Sequence, residues 1–216
     1  MTARRAASLA VGCALVALAL SPVSGDAHGD HDGQVGHMAR HVLLGMLAPV
    51  FLALGAPGTA VLRASGPAVR RRLAAVLRST PVHVLTHPVT AAVLDIGGLY
   101  VVVLAGVHPH PLLYAHYLAA GYLFAWSIAG PDPAPRRPGP VTRVVVLVAA
   151  AAAHAVLAKH LYATATDDEG RTAALVMYYG GDLAELLLAV ALFSWWFRRL
   201  RVTGRRQRAR SRPSCA

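Results

Sequence analysis

Long apolar stretches alternate with short polar ones along this chain, and their lengths set the architecture. Spanning a hydrocarbon core of about 30 Å takes roughly 20 helical residues. Five stretches reach that length: 38–62, 89–107, 112–130, 141–163 and 173–197. A sixth, shorter apolar run covers 6–20, follows Arg4 and Arg5, and meets the small-residue sequence between Ser21 and Ala27. Its length and flanks suit a cleaved signal peptide as well as a first membrane helix. The pattern predicts an all-α, polytopic transmembrane helix bundle of five helices plus an N-terminal signal peptide or sixth helix. Residues 1–27 form that signal peptide or first helix, 28–37 an outer His/Asp-rich segment, 38–197 the membrane domain and 198–216 a basic tail. Pro49 and Pro57, both inside the first long stretch, predict a kink there.

Charge orients the bundle. Arg63, Arg70, Arg71, Arg72 and Arg78 lie between the first two stretches, Arg136 and Arg137 between the third and fourth, and Arg198, Arg199 and Arg201 after the last. The alternate connections, 28–37, 108–111 and 164–171, hold a single arginine, Arg171. The positive-inside rule therefore makes the arginine loops and the tail cytoplasmic and the histidine-bearing connections external. A hydrophobic content of 56% with only 14% charged residues leaves no room for a soluble domain. The net charge of +11 sits in short clusters between apolar segments, which argues against nucleic acid and for contact with membrane lipid. As anchors of this kind, the arginines of 63–78 and 136–137 should tolerate lysine. Cys13 and Cys215 make no CxxC and no disulfide framework, so thiolate metal chemistry is not expected.

Histidine inside a membrane span is costly and marks a metal, proton or cofactor path. His37 and His41 are four residues apart and share one helix face, the spacing that lets two imidazoles meet one ion. At a rise of about 1.5 Å per residue, His116 and His160 lie about one turn inside the outer ends of their helices, level with His41. His154, Asp182 and Glu185 fall deeper, roughly 14–18 Å from the outer boundary, and Asp95 reaches a similar level. The carboxylates there either orient histidines or form a structural network between helices. Met38 and Met46 would favour Cu(I) if they faced the site. His28 and His31 sit in a glycine-rich segment that suits a metal-capturing arm or a plain linker. His108 and His110 share an outer turn with the same two readings. His83 and His87 stand apart, and His87-Pro88 reads as a helix start. The expected metal ligands are His37, His41, His116, His160, His154 and Asp182, with copper as the metal. A haem-binding membrane redox protein and a copper permease are the alternatives.

Several motifs carry a resemblance to a known family: His37-Met-Ala-Arg-His41, the run to Pro49, Leu54-Gly-Ala-Pro57, Thr86-His87-Pro88, the stretch from His116, Gly130-Pro-Asp-Pro-Ala-Pro-Arg-Arg137 and Met177-Tyr-Tyr-Gly-Gly-Asp182. Together they span nearly everything from His37 to Arg199, and they resemble the membrane-integral CtaG family of cytochrome c oxidase assembly factors. The resemblance implies a role in maturing the oxidase without catalytic turnover, with cytochrome c oxidase subunits as partners, copper delivery as the usual proposal, and a bacterial plasma membrane location. The topology is testable by introducing cysteine at Asp167, which should be labelled from outside intact cells; protection of that position would overturn the map.

Overall fold

The computed structural model describes residues 2–21, 33–107, 110–132 and 137–210, with side chains up to Arg201. The His28/His31 arm, His108, Arg136 and Cys215 lie outside them. The described residues contain helices and no strand. Helix α1 (Ala3–Leu20) lies along α3, where Ser8 Oγ donates to the Phe51 carbonyl at 2.7 Å. The first long stretch is a helical unit running from Gln34 to Ala64, made of α2 (Gln34–His41), a π-helical turn (Val42–Leu47), α3 (Ala48–Gly55) and α4 (Pro57–Ala64). Then come α5 (Pro67–Arg78), α6 (Thr80–Leu85), α7 (Pro88–Ala92), a second π-helical turn (Val93–Gly97) and α8 (Gly98–Leu104). The bundle closes with α9 (Pro111–Ala129), α10 (Pro140–Thr164) and α11 (Asp168–Arg210).

Among the described residues, five helices are long and apolar enough to cross a membrane: Ala3–Leu20, Gln34–Ala64, Pro111–Ala129, Pro140–Thr164 and Asp168–Arg201. The expected span at 89–107 is shorter than that, an apolar helix over Pro88–Leu104. It stops because the chain turns at Gly106, which takes a left-handed φ of 61°. The arginine connection after α4 is also helical. Its α5 carries Val69, Leu73 and Val76 at amphipathic spacing, and Arg70, Arg71, Arg72 and Arg78 are exposed, the arrangement of a helix lying in a membrane interface.

The two prolines act differently. Before Pro57 the chain breaks, with Ala56 held in the left-handed region at φ 55° between α3 and α4. Pro49 causes no break. It has no N–H to offer the Gly45 carbonyl one turn back, and the helix accommodates this by widening into the π-helical turn, in which Ala48 N–H bonds to Leu43 five residues earlier. Helix α9 then packs directly on this turn, because a methyl group at Gly121 would collide with the Gly45 carbonyl and lie 3.0 Å from the Pro49 ring.

Apolar packing divides into two clusters. Leu44, Leu99, Leu113, Leu157 and Met177 belong to one; Val50, Ile96, Phe124, Leu147, Leu188 and Leu192 belong to the other, toward the arginine-rich end. At that end Asp132, 6% exposed, accepts from Gly58 N at 3.0 Å, Thr59 N at 2.6 Å and Thr59 Oγ1 at 2.5 Å, which caps α4. Arg137 donates to the carbonyls of Gly130 and Asp132, and its guanidinium sits 4.9 Å from the Trp126 ring centre. At Arg137 a lysine would keep the charge but not the fork that holds two carbonyls beside a ring. Replacing Gly121 by alanine should destabilise the bundle by about 1–3 kcal/mol through overpacking. Unfolding in detergent checks this against Gly66→Ala, where the added carbon meets nothing within 4 Å and stability should hardly change.

Candidate functional site

Between the two apolar clusters runs a seam of polar side chains. It starts at His37 in α2, whose Nδ1 is 3.5 Å from the Tyr114 hydroxyl of α9. One turn further, His41 is 3% exposed and meets the Tyr117 ring edge-on, with ring centres 4.7 Å apart. Its other neighbour is His154 of α10, 1% exposed, with ring centres 6.3 Å apart. His154 Nδ1 stands 3.7 Å from Glu185 Oε1 of α11, and that carboxylate is 13% exposed. Glu185 and Asp95 then line a cavity of about 20 Å³ together with Gly45, Met46 and Gly121, space for a single water.

Local sequence explains why these groups converge. His41 is the last residue before the first π-helical turn and Asp95 lies inside the second; the extra residue in a π turn rotates the helix face and frequently marks functional positions. His154 fits because α11 has no side chain opposite it: a methyl at Gly181 would strike the imidazole. Four atoms in this seam are buried without a hydrogen-bond partner in the structure: both nitrogens of His41, Nε2 of His154 and the Tyr117 hydroxyl. Buried polar groups are almost always paired, so this concentration points to a ligand or to water.

The expected ligands divide accordingly. The structure brings His37, His41 and His154 into one seam. It leaves His116 exposed against Gly98 of α8, His160 exposed on α10, and Asp182 exposed on α11 one turn before Glu185. Among the described residues, no three His, Cys, Asp or Glu side chains converge as a metal-holding group. His116 and His160, expected level with His41, therefore do not join it in one site. Met46 reaches the cavity, and Met38 packs at the edge of the apolar cluster around Leu44. His87 accepts from Val89 N at 3.3 Å and caps α7, the helix start expected of it. Tyr117 was not anticipated as a site residue. Its position one residue after His116 and its aromatic character in a membrane helix offered no signal separating it from packing.

An all-α membrane bundle with a buried imidazole and carboxylate seam defines the class. Within that class, residues 1–199 match the cytochrome c oxidase caa3 assembly factor family, and the chain belongs to it. It is 36% identical over 134 residues to an uncharacterized protein of Mycobacterium leprae (strain TN) and 37% identical over 134 residues to uncharacterized proteins of Mycobacterium bovis and Mycobacterium tuberculosis. Each match covers 55% of this chain, and the matched region is 20% of each relative's length, so the chain spans only a small part of the curated relatives it matches. No solved structure matches it.

The collision between the Gly181 position and His154 yields a coupling test. Gly181→Ala alone should lower thermal stability, whereas the same change in a His154→Ala background should cost less, since the ring that the methyl strikes is gone. Equal losses in both backgrounds would show that the two helices do not meet there.

Proposed function

We propose that the chain is a non-enzymatic assembly factor that takes up copper at the histidine-rich end of the bundle and passes it to a cytochrome c oxidase subunit at the outer face of a bacterial plasma membrane. His41 carries the reading: a buried imidazole beside a second one, with neither nitrogen bonded to protein. Leaving such groups unpaired in a lipid-surrounded core costs about 1–3 kcal/mol each, and a bound cation removes that cost. A metal about 2.0 Å from each of two ring nitrogens sets the ring centres roughly 6 Å apart, in keeping with the 6.3 Å separation. The donors are two imidazoles with no thiolate, which suits copper at low coordination number, Cu(I) above all. Glu185 Oε1 lies 3.7 Å from His154 Nδ1, which leaves Nε2, buried and unpartnered, as the nitrogen available to a metal. His37, one turn outward and half-buried, is the transfer ligand, and His28 and His31 are the capture arm.

Two features favour delivery over the alternatives. The polar seam reaches Asp95 and Glu185, and the cavity they line is walled further by Val50, Phe124 and Leu188, side chains that offer a permeating ion no ligand. The cavity at its inner end, about 20 Å³, is far too small for a haem macrocycle.

Competition titration with Cu(I) on detergent-purified protein tests the reading. His41→Ala and His154→Ala should each weaken binding by about 100-fold or more, with the double variant little worse than either single one, because both serve one ion. His116→Ala and His160→Ala should stay close to wild type. In cells, His41→Ala should leave oxidase subunits present and oxidase activity low, partly restored by added copper. Unchanged copper affinity in the folded His41→Ala/His154→Ala protein would overturn the proposal, and a Soret band in the purified protein would favour the haem reading.

A further inference from the structure

The arginine-rich end of the bundle holds a second cavity, of about 370 Å³, between the end of α9, the start of α10 and the later turns of α11. Three guanidinium groups line it: Arg137, Arg143 and Arg199. Arg143 is 2% exposed, donates through Nη1 to the Ile128 carbonyl at 3.0 Å, and lies 4.2 Å from the Trp195 ring centre. Arg199 covers the same ring at 4.4 Å. The Nε atoms of Arg137 and Arg143 are buried and have no hydrogen-bond partner in the structure.

Among the described residues, no free carboxylate lines the cavity beside Arg137 and Arg143. Asp132 is the acidic residue lining it, and its carboxylate is already engaged by Gly58 and Thr59. Burial, followed by the neighbouring Arg143, pulls the Arg137 guanidinium down to about 10, against a smaller opposing effect of Asp132. Arg137 therefore remains cationic at neutral pH in a place that disfavours cations. The start of the 25-residue helix α10 also opens here: Gly139 and Pro140 line the cavity, and no side chain caps that end. Its free N–H groups and the helix dipole add positive potential directed at the same space.

We propose that this cavity is a binding site for a phosphate group, held by Arg137, Arg143 and Arg199 with the uncapped start of α10. Guanidinium forks match phosphate oxygens two at a time, and Trp195 keeps two of the forks flat and oriented. An anion there neutralises the crowded cations and occupies the unpartnered Nε donors. At the cytoplasmic leaflet the abundant source is an anionic phospholipid headgroup, and basic pockets between membrane helices bind such headgroups. Free phosphate shares the chemistry. The site is independent of the copper reading, since it lies at the opposite end of the bundle from His37.

The test uses the full chain in neutral detergent, with native mass spectrometry and thermal unfolding against phosphatidylglycerol, phosphatidylcholine and inorganic phosphate. Phosphatidylglycerol should bind and raise the unfolding temperature. Arg199→Gln and Arg137→Gln should each weaken it about tenfold, the loss of one charge-assisted contact. Arg199→Lys should recover only part of the loss, and Arg70→Gln on exposed α5 should match wild type. Arg199 is exposed on the late turns of α11, so its variants report on the site even if Arg143 variants fail to fold. Stabilisation by inorganic phosphate, lost in the same variants, with no added effect of phosphatidylglycerol over phosphatidylcholine, assigns the site to free phosphate. Equal phosphatidylglycerol affinity in wild type, Arg199→Gln and Arg137→Gln, without any response to inorganic phosphate, would overturn the proposal.

Discussion

Lipid offers no hydrogen-bond partners, so each polar group in this bundle has to be satisfied by the protein or by something the protein holds. Pro49 is where that constraint shapes the fold. It withholds an N–H from the Gly45 carbonyl, the helix opens into a π-helical turn, and α9 can approach only because position 121 is glycine. The same turn begins directly after His41, and a second π-helical turn carries Asp95. Helices α10 and α11 supply His154 and Glu185 to the seam these turns create. A local backbone irregularity is thereby converted into a buried cluster of unpartnered imidazole nitrogens, and the functional reading depends on that cluster.

The spans were legible because their lengths follow from bilayer thickness. The stretches at 112–130 and 141–163 correspond closely to Pro111–Ala129 and Pro140–Thr164. Enclosure was legible in part, since His154 and Glu185, polar groups far from the ends of their apolar stretches, are held inside the bundle. Azimuth was not. Helices α9 and α10 are apolar around most of their circumference, so no stripe distinguishes the buried face. His116 and His160, expected at the depth of His41, are exposed while His41 is buried. Asp182 and Glu185 show the same limit: three residues are about 60° short of a full turn, enough for one carboxylate to enter the seam and the other to stay exposed. The π-helical turns were equally hidden, because a proline signals a disturbed ladder without saying whether the helix kinks or widens.

The two ends of the molecule use opposite chemistry. One presents histidines, tyrosines and carboxylates, groups that bind and release cations without a redox thiol. The other gathers arginine against tryptophan, with Asp132 fastening the loop after α9 onto α4. The apolar cluster of Val50, Phe124 and Leu188 lies between the seam and the arginine-rich cavity, and under the proposed copper reading an ion on His41 and His154 would leave toward His37. The proposed role, loading and unloading at one face, needs that asymmetry.

X-ray absorption on the Cu(I)-loaded protein tests the central claim most directly, because it counts the ligands. The expected result is a low-coordinate site with two imidazole nitrogens at about 2.0 Å, no sulfur scatterer, and loss of that signal in the His154→Ala protein. A sulfur shell from Met38 or Met46, or a four-nitrogen site that persists without His154, would contradict it.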